Sequence, residues 1–276
     1  MGEVIAVKIT MLGTGNALST ECYNTCFILT ESITEGTNTL LVDTGGGNGI
    51  LHQLRHAGFE LQDIHDIFIS HSHIDHLLGL IWIVRISAQL MNKGRFNGDI
   101  NIYSHDKVIP LVDDLAGKLL LPYQYGFIGS RIHLHTVNDG DTLRISGHDV
   151  TFFDIHSGRT KQFGFTLSYD GKERLTFCGD EPLREECLNY AEGSTWLLHE
   201  AFCLYSQREE FSPYEKNHST VKDACETAQR LNVRNLLLYH TEDTQLSRRK
   251  GLYTDEGRRY FTGKIFIPDD LETLRL

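Results

Sequence analysis

Short β-rich runs alternate with helix-like segments from one end of the chain to the other. Apolar and β-branched residues gather at Val7–Leu12, Thr25–Thr30, Thr39–Asp43, Asp66–Ser70, Asp149–Ile155, Phe165–Tyr169, Leu175–Cys178, Trp196–His199 and Leu236–Tyr239, which predicts strands there. Helical spacing of apolar positions predicts helices over Gly49–Ala57, Leu77–Asn92, Lys107–Ala116, Thr220–Leu231 and Asp255–Phe261. The last of these leads into a final strand at Lys264–Ile267, and Asp170-Gly171-Lys172 reads as the turn of a β-hairpin. No repeat, low-complexity stretch or linker interrupts the alternation, so a single α/β domain over residues 1–276 is expected. Asp43, His71, His156, Asp180, His199 and His240 each follow or close a β-rich run. Strand ends are where loops bring ligating side chains together.

Composition narrows the classes of function. Hydrophobic residues make up 40% and charged residues 23% of the 276, which fits a soluble globular protein. A formal net charge of −11 argues against a surface adapted as a whole to nucleic-acid backbones or anionic membranes. The six cysteines form no CxxC pair, which excludes zinc ribbons and thioredoxin-type motifs. The opening segment Met1–Lys8 lacks a basic stretch followed by an apolar one, and the run Leu77–Leu90 is broken by Arg85. Reduced thiols in a cytoplasmic protein with no membrane partner are the expectation.

The strongest chemical signal is Ser70-His71-Ser72-His73-Ile74-Asp75-His76, directly after Ile67-Phe68-Ile69. Imidazole nitrogen and carboxylate oxygen are the usual ligands of zinc and similar divalent ions. On an extended segment His71 and His73 point to one side and can share an ion. Asp75 and His76 follow where the chain enters a helix, so they can address a second one. A chance cluster on a solvated loop is the bland alternative, but three imidazoles and a carboxylate so close together are rare.

This HxHxDH run after a strand resembles the signature of the metallo-β-lactamase superfamily, and the remaining motifs follow in order. They are Leu12-Gly13-Thr14-Gly15, Leu41-Val42-Asp43-Thr44-Gly45, His156 in Ile155-His156-Ser157-Gly158, Asp180 in Cys178-Gly179-Asp180, and His240 in Leu238-Tyr239-His240. The resemblance implies an αββα sandwich with two divalent metal ions. By position, His71, His73 and His156 would hold one ion, Asp75, His76 and His240 the other, and Asp180 would bridge them. Five imidazoles and two carboxylates suit zinc, with manganese or iron also accommodated.

Two further motifs, Leu198-His199-Glu200-Ala201-Phe202 and Asn217-His218-Ser219-Thr220, are similar to ribonuclease Z, the tRNA 3′-processing endonuclease. The resemblance implies that Glu200 and His218 form a pair beside the metals, with His218 helping the leaving oxygen depart. The chain departs from that family in three ways. The long basic arm that grips tRNA is missing between His156 and Asp180; Thr241-Glu242-Asp243-Thr244 replaces the usual continuation after the last ligand; and the net charge is acidic. A metal-dependent phosphodiesterase acting on small diesters, with RNA admitted but long-range tRNA binding lost, is therefore expected.

In this reading Asp75 also orients the nucleophile, and His218, oriented by Glu200, serves the leaving group. Arg159, Lys161 and the run Arg248-Arg249-Lys250 are candidate phosphate contacts, and Tyr123 and Tyr125 candidate base-stacking groups. The alternatives are an acyl hydrolase of the same superfamily (lactonase or thioesterase) and a metal-binding homologue without activity. The Glu200 and His218 motifs count against the first, and the complete ligand set against the second. A homodimer is compatible with all of these readings.

Overall fold

Most strands here are buried apolar runs rather than clean alternations, because each sheet is covered on both faces. Within a strand, odd and even residues then feed different cores. In the computed structural model, which describes residues 7–33 and 36–276, Cys26 and Ile28 face a helical layer while Phe27 and Leu29 face the other sheet. Met1–Ala6, most of the opening segment read above, lie outside the described residues.

The chain passes through β1 (Val7–Gly13), β2 (Cys26–Ile33), β3 (Gly36–Val42), β4 (Asp66–Phe68), β5 (Ile100–Ser104), β6 (Ile132–Thr136) and β7 (Thr142–Ile145). It continues through β8 (His148–Asp154), β9 (Phe163–Tyr169), β10 (Glu173–Phe177), β11 (Trp196–Glu200), β12 (Asn235–Tyr239), β13 (Lys264–Phe266) and β14 (Thr273–Arg275). The helices are α1 (Gly49–His56), α2 (Ile74–Asn92), α3 (Val108–Leu119), α4 (Pro122–Tyr125), α5 (Leu188–Ala191), α6 (Arg208–Phe211), α7 (Val221–Arg230) and α8 (Arg249–Gly257). One seven-stranded sheet has the order β14-β1-β2-β3-β4-β5-β6, and the other β13-β12-β11-β10-β9-β8-β7. Phe27, Phe68, Phe152, Phe165, Phe177 and Tyr239 fill the space between the sheets. α1, α2 and α3 cover the first sheet, and α7 and α8 the second. This is the expected αββα sandwich.

Four strands escape the sequence reading: β5, β6, β7 and β14. The predicted helix over Asp255–Phe261 is also displaced, since α8 ends at Gly257. Gly257 packs so closely that a Cβ there would sit 2.7 Å from Ile265 and 2.9 Å from the Cys225 sulfur. α2 begins three residues before the predicted start and is long and apolar enough to cross a membrane by length and composition. It is nevertheless the central helix of the first layer, with Leu77, Leu80, Ile83, Val84 and Ala88 against the sheet. The expected hairpin is present, with β9 and β10 antiparallel and Asp170 and Gly171 in left-handed conformation at its turn.

Candidate metal centre

The site grows out of strand ends. β3 stops at Val42, and Asp43 turns the chain with a left-handed φ of 55°. Such backbone in a non-glycine residue costs on the order of 1 kcal/mol and persists where its side chain is needed in one place. The Asp43 carboxylate receives the Ser70 amide and hydroxyl, each at 2.7 Å, and His76 Nδ1, also at 2.7 Å. Having donated to Asp43, the Ser70 hydroxyl accepts His71 Nδ1 at 2.9 Å. One carboxylate thus commits Nδ1 of two imidazoles and leaves both Nε2 atoms free to ligate. Asp43 was legible in the sequence as a polar residue at a strand end, in a strand-ending Asp-Thr-Gly, but not as the support of two imidazoles.

His73 caps α2 in extended conformation, and the first turn of that helix carries Asp75 and His76. Ligand atoms of His71, His73 and Asp180 lie within 4.8 Å of one another, as do those of Asp75, His76 and His240. Asp180 Oδ2 stands between the triads, 3.4 Å from His71 Nε2, 3.5 Å from His76 Nε2 and 3.6 Å from His240 Nε2. Asp75 Oδ2 is 3.2 Å from His76 Nε2 and 3.6 Å from His240 Nε2. Ligands about 2.0–2.1 Å from a tetrahedral ion are about 3.3–3.4 Å apart, so these spacings fit shared cations.

Burial makes the same point. His71 Nε2, His76 Nε2, both His240 ring nitrogens and Asp180 Oδ1 are buried without a hydrogen-bond partner. Each such atom costs about 1–3 kcal/mol unless something else satisfies it. Burial acts to raise the Asp75 and Asp180 carboxyls. The surrounding imidazoles, His76 and His240 for Asp75 and His71, His76 and His240 for Asp180, outweigh it and hold both well below the usual carboxylate range. Ionised carboxylates and orphaned imidazole nitrogens are a donor set for divalent cations.

His156 differs from its expected place. It follows β8 with a left-handed φ of 56°, its amide donating to Asp154 Oδ1 at 2.8 Å. Its ring is exposed and belongs to neither triad. The structure brings together six of the seven expected ligands.

Beside His240 sit Glu200, which ends β11, and His218, which precedes α7. His218 Nδ1 donates to the Asp180 main-chain oxygen at 2.8 Å, while Glu200 Oε2 stands 3.7 Å from it without a hydrogen-bond partner. The main chain, more than Glu200, therefore fixes the ring, and Glu200 Oε1 takes the Ser219 amide. Burial pushes His218 down to about 4, with neighbouring His240 adding to it, and pushes Glu200 well up. Burial thus disfavours the charged form of both members of the pair.

His73, Asp75, Asp180, His218 and His240 open onto a cleft of about 200 Å³ whose walls include Leu18, Arg159, Gln162, Glu181, Phe202 and Lys216. Glu181, Phe202 and Lys216 are missed by sequence reasoning; Glu181 was visible only as a second acid after Asp180. Of the candidate phosphate contacts, Arg159 lines this cleft, whereas Lys161 pairs with Asp106 at 2.7 Å. Arg249 is buried, binding Thr241 Oγ1 at 2.7 Å and the Pro268 carbonyl at 2.8 Å, and Lys250 pairs with Asp269 at 2.9 Å. Both serve the fold rather than the cleft. Tyr123 and Tyr125 lie on α4 outside the cleft, with the Tyr125 hydroxyl on Asp113. A larger cavity of about 720 Å³, bordered by Glu21, Asp243, Lys250 and Asp269, contains none of the triad residues.

Ribonuclease Z of Archaeoglobus fulgidus is 24% identical over 312 aligned positions, covering 95% of each chain. The metallo-β-lactamase fold protein YhfI of Bacillus subtilis superposes with a TM-score of 0.79 at 17% identity, over 98% of this chain and 100% of that one. Zn²⁺-bound PqqB of Methylobacterium extorquens gives 0.72 at 13% identity, over 98% and 100%. The profile of the family described as Anti-Pycsar protein Apyc1 matches residues 7–262. The likeness to ribonuclease Z expected from the motifs stands, and the profile adds a family that the motifs had not named. With this fold and these relatives the chain is a ribonuclease Z-like metallo-β-lactamase hydrolase, and by the match over nearly its whole length it belongs to the family of the anti-Pycsar protein Apyc1.

Proposed function

We propose that the protein is a phosphodiesterase acting on small diesters, with His71, His73 and Asp180 holding one divalent ion and Asp75, His76, His240 and Asp180 a second. The observation that carries this reading is the Asp180 carboxylate midway between two triads, with the Glu200–His218 pair directly beside them. Zinc suits the donor set, and PqqB supports it as a zinc-bound neighbour of the same fold. Bound there, a pair of such ions supplies an activated water and neutralises the charge of the phosphoryl oxygens.

The chain's own residues do the rest. Asp75, ionised and open to the cleft, orients the attacking water and accepts its proton. Arg159 and Lys216 offer cationic contacts to the non-bridging oxygens from the rim. His218, held through Nδ1, turns Nε2 toward the leaving oxygen. As the imidazolium it gives its Nε2 proton to that oxygen and is left neutral, with Nδ1–H still on the Asp180 carbonyl, and it regains a proton from solvent; Glu200, 3.7 Å from Nδ1, backs the ring. Phe202 stacks on His218, with ring centroids 5.0 Å apart, and keeps water from its other face.

Substrate size follows from what surrounds the cleft. The interval that would carry a tRNA-gripping arm is a plain β9–β10 hairpin, so remote binding energy for a large RNA is missing. Exposed Leu119, Leu121, Tyr123 and Tyr125 on α3–α4 support a self-associating face, which sedimentation of a Leu121→Glu variant tests. The activity is tested with metal-loaded protein on bis(p-nitrophenyl) phosphate, cyclic nucleotides, precursor tRNA and a lactone. Diester turnover with poor tRNA cleavage is expected; lactone turnover without diester turnover would instead establish the acyl hydrolase.

A further inference from the structure

The four residues after the last ligand, Thr241-Glu242-Asp243-Thr244, have no part in the chemistry described so far, yet they are tied to two apolar walls of the metal cleft, Leu18 and Phe202. The Thr241 carbonyl accepts the main-chain and side-chain amides of Asn16, each at 3.0 Å. The Glu242 amide donates to the Phe202 carbonyl at 2.7 Å. Asp243 Oδ2 accepts the Thr20 amide at 2.6 Å and the Glu21 amide at 2.9 Å.

The turn that carries Leu18 joins β1 to β2. Asn16 starts it from a buried position, and its Oδ1 accepts the Leu18 amide at 2.8 Å, a turn that asparagine favours. Beyond Asn16 the tip stands clear of the protein, with Ala17, Leu18, Thr20 and Glu21 exposed. Leu18 is 81% exposed, so packing contributes little to its position. Among the described residues, the amides of this tip that bond outside the turn do so only to Asp243, and the Ser19 hydroxyl adds a longer bond of 3.3 Å to the Thr241 carbonyl.

The tip is also not wedged in place. Glu21, Cys22 and Asp243 border the cavity of about 720 Å³, while Ala17 and Leu18 border the metal cleft. A turn with a cleft at one flank and a cavity at the other is placed by its bonds, and two of these end on one carboxylate. Bonds from amides to an ionised acceptor are roughly twice as strong as neutral ones. Leu18 in turn offers apolar surface at the mouth of a cleft whose other walls are mostly charged or polar.

We propose that Asp243 is a positioning residue for the metal cleft: it pins the β1–β2 turn so that Leu18 stands as an apolar wall against the bound substrate. Asp243 touches neither the ions nor the reacting atoms and acts through Leu18. Its effect therefore falls on how tightly substrate is held rather than on the chemical step. The proposal rests on the phosphodiesterase reading for its assay.

The test uses metal-loaded protein and bis(p-nitrophenyl) phosphate. Asp243→Ala should raise KM by roughly tenfold and leave kcat within about threefold, the pattern of lost uniform binding. Asp243→Asn, which keeps an acceptor oxygen for the two amides, should lose much less. Leu18→Ala should raise KM to a similar degree, and the double variant Leu18→Ala/Asp243→Ala should be no worse than either single one, since both remove the same contact. Hydrogen exchange at the Thr20 and Glu21 amides should quicken by about tenfold in Asp243→Ala, the scale of one bond to a charged acceptor, and stay unchanged in Leu18→Ala. Melting curves and metal content report whether each variant is folded and loaded. An unchanged KM in Asp243→Ala would overturn the proposal, as would KM increases that multiply in the double variant. Metal lost from Asp243→Ala would also overturn it, by moving the residue's role to neighbouring His240. A wild type that turns over no diester would overturn the phosphodiesterase reading and this proposal with it.

Discussion

Gly79 joins the fold to the metal centre in a way that one methyl group can test. It lies in α2, one turn after Asp75, facing the Asp43–Gly45 turn. A Cβ at position 79 would lie 2.0 Å from the Thr44 carbonyl oxygen and 2.8 Å from its carbon. Ordinary contact distances are about 3.5 Å or more, so Gly79→Ala must push α2 and the turn apart by more than about 1 Å. That motion falls on the bonds that set His76: Nδ1 to Asp43 at 2.7 Å, and the Thr44 amide to the His76 carbonyl at 2.8 Å. Overpacking of this kind costs about 1–3 kcal/mol, which for a chain this size lowers Tm by roughly 3–10 °C. Loss of the group that orients a ligating imidazole should weaken metal affinity by about 10–100-fold. Thermal melts and zinc competition against a chelator measure the two effects separately. Gly251→Ala in α8 is the counterpart, since nothing lies within 4 Å of its added Cβ, and it should gain up to about 1 kcal/mol. Wild-type melting and zinc affinity in Gly79→Ala would refute the reasoning.

Asp180→Ala should remove tight binding of both ions at once, read as metal content after gel filtration, because its carboxylate faces both triads; two ions retained would show the bridge to be elsewhere. His218→Ala should keep both ions but lower kcat by ~10²–10⁴ on alkyl-type leaving groups and far less on p-nitrophenolate, and Glu200→Gln should share that leaving-group signature. Equal losses on good and poor leaving groups would reject the proton-delivery role. Buried His105 is pushed down to about 4, by burial first and then by Lys161. The unfolded chain therefore takes up a proton near pH 6.5 that the folded protein accepts only near pH 4, so stability falls as pH drops through that window, by up to about 3 kcal/mol. His105→Phe should flatten the urea midpoint between pH 6.5 and 4, and an unchanged slope would exclude His105 as the cause.

The apolar runs revealed ten of the strands because burial on both faces leaves little ambiguity, as in Phe163–Tyr169. β6, Ile132-His133-Leu134-His135-Thr136, did not read as a strand because it is an edge, with three of its five residues polar and at least partly open. β14 is three residues long and, among the described residues, pairs only with β1, so its identity lies in its partner. The run Arg248-Arg249-Lys250 read as candidate phosphate contacts, yet Arg249 is buried by Thr14, Thr241 and Pro268, which lie apart in the sequence. The ligand set was legible because HxHxDH packs four donors into one short segment. The support beneath it was not: the acceptor for His218 is a backbone oxygen of Asp180, which no side-chain pattern announces.

The two triads draw on both halves of the sandwich. His71, His73, Asp75 and His76 follow β4 in one sheet, while Asp180 and His240 follow β10 and β12 in the other. Neither half can complete a triad by itself, so ion binding rewards only the docked arrangement. At a free ion concentration a thousand times the dissociation constant, that reward is about 4 kcal/mol per site, a large share of the net stability of an ordinary domain. A half-assembled chain, with one sheet formed and the other still open, receives none of it. Metal supply in the cell would thus set how long such a chain stays exposed to proteases, and loading would act as a checkpoint that only correctly closed molecules pass.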